Sequence, residues 1–142
     1  MLRMAAAGPP TILATVIAVI LASGRLDRLY TGLSLLVSTA AEGERALGLA
    51  TFEALDPLLD EQLLGRALRP DETPALSEPG RETFARTLVA LRDTAAELPD
   101  CRIWACAAAV ETTGAEVGRW FDGVLSTPRF LREVGDARLV VV

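Results

Sequence analysis

The sequence contains no histidine among its 142 residues, and it has only two cysteines, Cys101 and Cys106. Without imidazole there is no Ser-His or Cys-His nucleophile pair and no histidine metal ligand. Two thiolates cannot supply a four-cysteine zinc site. We therefore predict no metal site. We also predict no cofactor, because no glycine-rich phosphate-binding motif follows the first apolar stretch.

The two cysteines are not expected to form a disulfide with each other. If both lie on one strand, their offset of five points the side chains to opposite faces, about 16 Å apart. A disulfide needs Cα atoms within about 7 Å. The low cysteine count is typical of a reducing compartment, which favours a cytoplasmic protein.

Aromatic residues and positive charge are also scarce. Aromatics make up 5% of the chain, hydrophobic residues 51%, and the net charge is −5. This composition predicts one domain with an aliphatic core. The negative charge argues against nucleic-acid binding, because phosphates attract a basic surface.

The N-terminal region allows two interpretations. Residues 1–10 are interpreted as a flexible leader that ends at Pro9-Pro10, and residues 11–22 as a buried central strand rich in Thr, Val and Ile. Alternatively, Arg3 followed by the uncharged residues 4–24 resembles a signal peptide or a membrane anchor. Because 23–24 (SG) is typical of a strand-to-helix turn, we favour the strand and a cytoplasmic protein, without membrane association.

Beyond residue 24, helical and strand patterns alternate. The patterns predict helices over 25–43, 56–65, 81–98, 107–113 and 128–134, strands over 45–52, 101–106, 124–125 and 139–142, and a helical turn over 117–121. Residues 66–80 carry three prolines and are interpreted as a loop. The order predicts an α/β domain over 11–142 with a mainly parallel five-stranded sheet and helices on both faces.

Cys106 is the candidate nucleophile. It lies where the strand over 101–106 meets the following helix, and the carboxyl ends of parallel strands are where ligands bind. The first amides of a helix stabilise a thiolate. Ser23 and Gly24, at the end of the first strand, and Ala107 and Ala108, after the cysteine, are candidate pocket residues.

Two groups of residues have a structural interpretation. Buried free cysteines are common, so Cys106 can equally be part of the core. The carboxylates of Glu53, Asp56, Asp60 and Glu61 are interpreted as solvated surface, because the sequence offers no partners for a metal or acid-base role.

The chain resembles the DsrE/DsrF-like family of small sulfur-relay proteins. The resemblance rests on ordered pieces spread over the chain after Pro10: 22–30 (ASGRLDRLY), 38–43 (STAAEG), 103–106 (IWAC) with Gly114, 121–124 (FDGV), 130–131 (FL) and 139–142 (LVVV). It departs from the family at 107–110 (AAAV), where many members have Ser and Met. It also departs at 51–55 (TFEAL), where an aromatic-rich run with glycine is usual.

The resemblance implies a flavodoxin-like three-layer sandwich and a homotrimer or a multiple of three. It implies a cytoplasmic, sulfurtransferase-like sulfur carrier. Cys106 would accept sulfane sulfur as a persulfide from a donor protein and pass it to an acceptor thiol. The alternative is a non-catalytic oligomeric binding or assembly module on the same fold, in which Cys106 is structural.

Overall fold

The computed structural model describes residues 15–142. The predicted leader, residues 1–10, and the first four residues of the predicted first strand lie outside the described residues. So does the first part of the candidate signal or anchor, residues 4–14.

Residues 15–142 form five strands and six helices, one helix more than the sequence predicts. They are β1 (Thr15–Leu21), α1 (Leu26–Ala41), β2 (Arg45–Ala50), α2 (Leu55–Leu59), α3 (Leu63–Ala67), α4 (Glu78–Glu97), β3 (Cys101–Cys106), α5 (Ala107–Thr113), β4 (Val124–Leu125), α6 (Thr127–Val134) and β5 (Arg138–Val141). Short 3-10 turns cover Phe52–Ala54 and Gly118–Trp120.

All strands are parallel, and their order in the sheet is β4-β3-β2-β1-β5. Leu21 pairs with Ala50, Ala50 with Ala105, and Cys106 with Leu125. The carboxyl ends of these strands therefore form one edge of the sheet. The predicted α/β class and parallel five-stranded sheet are confirmed.

Helices cover both faces, as in a flavodoxin-like three-layer sandwich. Gly32 of α1 lies over Val19 and Leu21, so α1 packs on one face. Phe130 of α6 packs edge-to-face against Trp104 on the other face, with ring centroids 6.3 Å apart. The strand order differs from the 2-1-3-4-5 order of flavodoxin itself.

The core is aliphatic, as the composition predicts. Along α1 the buried leucines are Leu26, Leu29, Leu33 and Leu36, which recur at steps of three and four residues. β1 continues the core, since Val19 and Leu21 are fully buried. Within the described residues, no helix combines the length and the apolar character needed to cross a membrane.

The prediction of a single helix over residues 56–65 is wrong. The chain forms α2 and α3 with a break between them, where the Asp60 carboxylate accepts a hydrogen bond from the Gln62 amide at 2.8 Å. The pair Asp56-Pro57 is typical of an N-cap followed by the first helical residue, but Asp56 does not cap the helix. α2 begins one residue earlier, at Leu55, directly after a 3-10 turn.

The fourth helix begins three residues earlier than predicted, at Glu78. Ser77 caps it by accepting a hydrogen bond from the Gly80 amide at 3.1 Å, and Pro79 occupies the first turn, where proline is favourable. Ser126 caps α6 in the same way through the Arg129 amide. The helix predicted from Pro128 would have Thr127 as its cap, and that capping role is wrong.

The proline-rich loop is tied to α4 by a buried arginine. Arg81 donates from Nε to Thr73 Oγ1 at 2.9 Å and from Nη2 to the Thr73 and Leu76 carbonyls at 3.1 and 2.8 Å. Both Arg81 and Thr73 are buried. Three hydrogen bonds from one guanidinium therefore hold this loop against the domain.

Substitution of Gly32 tests how closely α1 packs on the sheet. An added Cβ would overlap Leu21 Cδ2 and lie 2.8 Å from Val142 Cγ2, whereas a Cβ on Gly65 in α3 would meet nothing within 4 Å. We expect Gly32→Ala to lower the free energy of unfolding by about 1–3 kcal/mol through overpacking. Gly65→Ala should raise it by about 0.4–1 kcal/mol. Chemical denaturation measures both, and a stabilising Gly32→Ala would contradict this packing.

Candidate functional site

The predicted strand-to-helix junction at Cys106 is confirmed. β3 ends at Cys106, which is also the N-cap residue of α5, and no loop separates the two elements. α5 ends at Gly114, whose φ of 72° is the left-handed conformation typical of a helix C-terminal stop. Cys106 therefore lies at the carboxyl edge of the sheet.

The side chain of Cys106 faces α6. Alternation along β3 places Cys106 on the same face as Trp104, which contacts Phe130 of α6. Its Sγ lies 4.0 Å from the hydroxyl oxygen of Thr127, the first residue of α6. The polar neighbour of the thiol is therefore Thr127, which is not among the predicted site residues.

The sequence holds only half of the signal for Thr127. It predicts the short strand over 124–125, but not the pairing of that strand with β3, which brings the next residues to the thiol. The structure pairs Cys106 with Leu125, two positions before Thr127.

Cys106 is buried, but residues next to it are partly or fully exposed. Its exposed fraction is 4%. Around it, Ala107 is half-buried, while Ala108 and Thr127 are exposed. The thiol therefore lies close to the surface but is not open to solvent.

Ser23 and Gly24 share the sheet edge with Cys106 but belong to a different strand. β2 lies between their strand and β3, which separates the strand ends by about 10 Å. The Ser23 hydroxyl accepts a hydrogen bond from the Arg25 amide at 3.1 Å. Gly24 lies so close to the backbone carbonyl of Glu53 that a Cβ there would be 2.8 Å from its oxygen. Their local contacts are thus with the first turn of α1 and with the chain after β2.

Cys101 has a different environment at the opposite end of β3. Both cysteines are free and buried, so the predicted absence of a disulfide between them is confirmed. Burial raises the pKa of the Cys101 thiol from 9.0 to about 12, and the Asp122 carboxylate adds to this shift. Cys101 therefore stays protonated at neutral pH and is a poor nucleophile.

A cleft of about 610 Å³ opens after β2, beside the C-terminal end of α5. Its apolar lining is Phe52, Leu55, Leu59 and Ala115, and its polar lining is Asp56, Asp60, Glu61 and Thr113. The volume is in the range of small-molecule sites. The sequence patterns indicate solvated surface for these carboxylates and carry no signal for the cleft.

Phe52 has an unusual backbone conformation in this cleft. Within residues 15–142 it is the one non-glycine residue with a positive φ, at 27°. Its side chain is 50% exposed. A bulky residue at positive φ is strained, typically by about 1–3 kcal/mol, and such strain clusters at functional sites.

Arg92 stabilises the backbone of the segment that lines the cleft. Its Nη1 donates to the Asp60 and Leu58 carbonyls at 2.7 and 3.2 Å. Its guanidinium stacks on Trp120 at 3.8 Å from the ring centroid, and Arg119 lies 4.1 Å from the same centroid. Burial lowers the pKa of Arg92. One buried cation thus fixes the link between α2 and α3.

The acidic residues of the cleft have an arginine partner. Arg66 Nη1 lies 2.9 Å from Asp56 Oδ2 and 3.4 Å from Asp60 Oδ2, and its Nε binds Glu72 at 3.2 Å. Across residues 15–142, no three His, Cys, Asp or Glu side chains are grouped so as to hold a metal ion.

Comparison with known proteins finds no matching family model and no similar curated protein. The resemblance to the DsrE/DsrF-like family therefore stays a prediction from the ordered motifs.

The buried Cys101 should make stability depend on alkaline pH. The unfolded thiol ionises near pH 9, whereas the folded thiol resists ionisation until about pH 12. Its contribution is therefore complete below pH 9 and is lost as pH rises towards 12, at up to about 1.4 kcal/mol per pH unit.

Urea unfolding of the native chain and of Cys101→Ala between pH 8 and 11 measures this slope. The chain contains no lysine, so no lysine side chain titrates in this range. Equal slopes for the two proteins would contradict the assignment to Cys101.

The conformation of Phe52 predicts that glycine at this position is more stable than alanine, which is the reverse of the usual order. Phe52→Gly and Phe52→Ala both remove the ring, but only glycine relieves the strain at φ 27°. We expect Phe52→Gly to be about 1 kcal/mol more stable than Phe52→Ala, although glycine normally costs about 0.5–1 kcal/mol relative to alanine. The order is read from thermal or chemical unfolding, and the usual order would indicate an ordinary φ at this position.

Proposed function

We propose that the protein is a sulfur carrier that holds sulfane sulfur as a persulfide on Cys106. The observation that supports this most directly is the position of Cys106 Sγ, at the carboxyl edge of β3 and 4.0 Å from Thr127 Oγ1. The resemblance to sulfur-relay proteins points to the same cysteine. Cys101, with its raised pKa, is not suited to the role.

Thr127 contributes a hydrogen-bond donor for the ionised form. Its hydroxyl can donate to a thiolate, and such a hydrogen bond stabilises the charged form of the group that accepts it. Thr127 is also the first residue of α6, and the N-terminal end of a helix favours negative charge. These two contributions take the place of the general base that a histidine would supply.

The proposed transfer conserves sulfur and electrons. The Cys106 thiolate attacks the outer sulfur of a donor persulfide, the donor S–S bond breaks, and the donor leaves as a thiolate. An acceptor thiolate then attacks the outer sulfur on Cys106, which regenerates the Cys106 thiolate. Because Cys106 is 4% exposed, the donor reaches Sγ only when the residues that cover it, Thr127 among them, move aside.

A second function is favoured by that same burial. A cysteine with 4% exposure is an ordinary core residue, which supports a binding or assembly module with a structural Cys106. Leu131, Leu139 and Val141 are 47, 45 and 62% exposed, and such apolar side chains are typical of an interface. They support assembly of several copies under either function.

The sulfur-carrier proposal predicts one added sulfur atom per chain. Intact mass is measured after incubation with glutathione persulfide, using Cys101→Ala so that a single thiol remains. We expect the added sulfur to disappear in Cys101→Ala/Cys106→Ser and to move to a small acceptor thiol. A folded protein that gains no sulfur would support the structural cysteine instead.

The role of Thr127 is tested in the same background by the pH dependence of iodoacetamide alkylation. Thr127→Val keeps the shape but removes the hydroxyl, so it should slow alkylation at neutral pH without lowering the rate at high pH. Thr127→Ser is the matched control and should retain the native profile. Identical profiles for all three proteins would remove Thr127 from the proposal.

A further inference from the structure

Folding alone does not account for Phe52. Its backbone is strained at φ 27°, and half of its side chain remains exposed, so the ring gains little burial in return. Glycine would fit this conformation without strain. An aromatic ring held in this way at the mouth of a cleft is better explained by contact with a ligand.

The surroundings of the ring form an apolar floor. Leu55, Leu59 and Ala115 line the same cleft of about 610 Å³. Leu55 is 2% exposed and Leu59 is half-buried, so α2 already places these side chains against the core. A ligand with an apolar body could bury its surface here against existing walls.

The rim of the cleft is negative. Asp56, Asp60 and Glu61 are its charged lining residues, and no arginine is among them. Arg66 neutralises part of this charge from one side through Asp56 and Asp60. It shares its guanidinium with Glu72, so the rim keeps an excess of negative charge.

The cleft is also held in place. Arg92 binds the Leu58 and Asp60 carbonyls, and Gly24 lies against the backbone of Glu53, next to Phe52. These contacts fix both ends of the segment that forms the cleft. A site that is preformed in this way loses little conformational entropy when it binds.

We propose that this cleft binds a small organic cation, that is, an ammonium or guanidinium group carried on an apolar body. The apolar body would contact Leu55, Leu59 and Ala115. The cationic group would lie by the face of Phe52 and the carboxylate of Glu61, which combines a cation–π contact with charge complementarity. An anion of the same size is excluded by the rim.

This site is distinct from the proposed sulfur carrier. Cys106 lies at the start of α5, whereas Thr113 of the cleft lies at its end, about 10 Å along the helix. Cys106→Ser should therefore bind the cation as the native chain does. Failure of either proposal leaves the other unaffected.

The test is a titration of the full chain followed by heteronuclear NMR, with 4-phenylbutylammonium as the probe. The neutral 4-phenylbutanol has the same apolar body without the charge, and methylammonium has the charge without the body. We expect saturable shifts centred on residues 52–61 and 113–115 for the probe, and binding at least about fivefold weaker for either control compound.

Two variants separate the ring from the charge. Phe52→Gly removes the ring and relieves the backbone strain, and it should weaken binding by about fivefold or more. Glu61→Gln should weaken it by about two- to fivefold, and less at high salt. Glu111→Gln, an exposed position on α5 outside the cleft, is the matched charge control and should bind like the native chain.

Three results would overturn the proposal. The first is the absence of saturable shifts up to the solubility limit of the probe. The second is equal binding of 4-phenylbutanol, which would indicate an apolar surface without selectivity for cations. The third is native affinity in both Phe52→Gly and Glu61→Gln, which would place the cation elsewhere on the acidic surface.

Discussion

The order of the strands in the sheet determines which face of the sheet each helix covers. From β1 to β4 each strand lies beside the previous one on the same side, and β5 then returns to the far side of β1. Because parallel crossovers are right-handed, the helices between β1 and β4 lie on one face, and α6 alone crosses the other. The sheet therefore has a well-covered face and a sparsely covered one.

This arrangement explains the surroundings of Cys106. In open α/β sheets, ligand crevices form where neighbouring crossovers leave on opposite faces. That condition is met between β3 and β4, because α5 leaves β3 on one face and α6 leaves β4 on the other. Cys106 lies at this point and faces α6, where the exposed Thr127 covers it. A thiol in this position can be a shielded nucleophile or a core residue, and its chemistry depends on how readily this cover moves.

Sequence patterns predicted the helices and strands that depend on interactions between residues close together in the chain. The leucine stripe of α1 and the run of strand formers before Cys106 carry their own periodicity, and both elements formed where expected. The break between α2 and α3 could not be found in this way, because it involves Arg92, more than thirty residues away. Thr127 likewise reaches Cys106 through strand pairing, and the positive φ of Phe52 has no counterpart in its residue type.

The two buried arginines show how long-range contacts shape the surface. Arg81 and Arg92 project from α4. Each binds backbone carbonyls of a segment that has no long, regular set of backbone hydrogen bonds. A guanidinium suits this task because its planar set of donors satisfies several carbonyls at once and stays protonated when buried. Arg81 thereby orders the proline-rich loop. Arg92 fixes the α2–α3 link and, through Trp120, connects it to the chain after α5. The cleft beside Phe52 lies between the α2–α3 link and the chain after α5, so its shape depends on α4 as well as on the residues that line it.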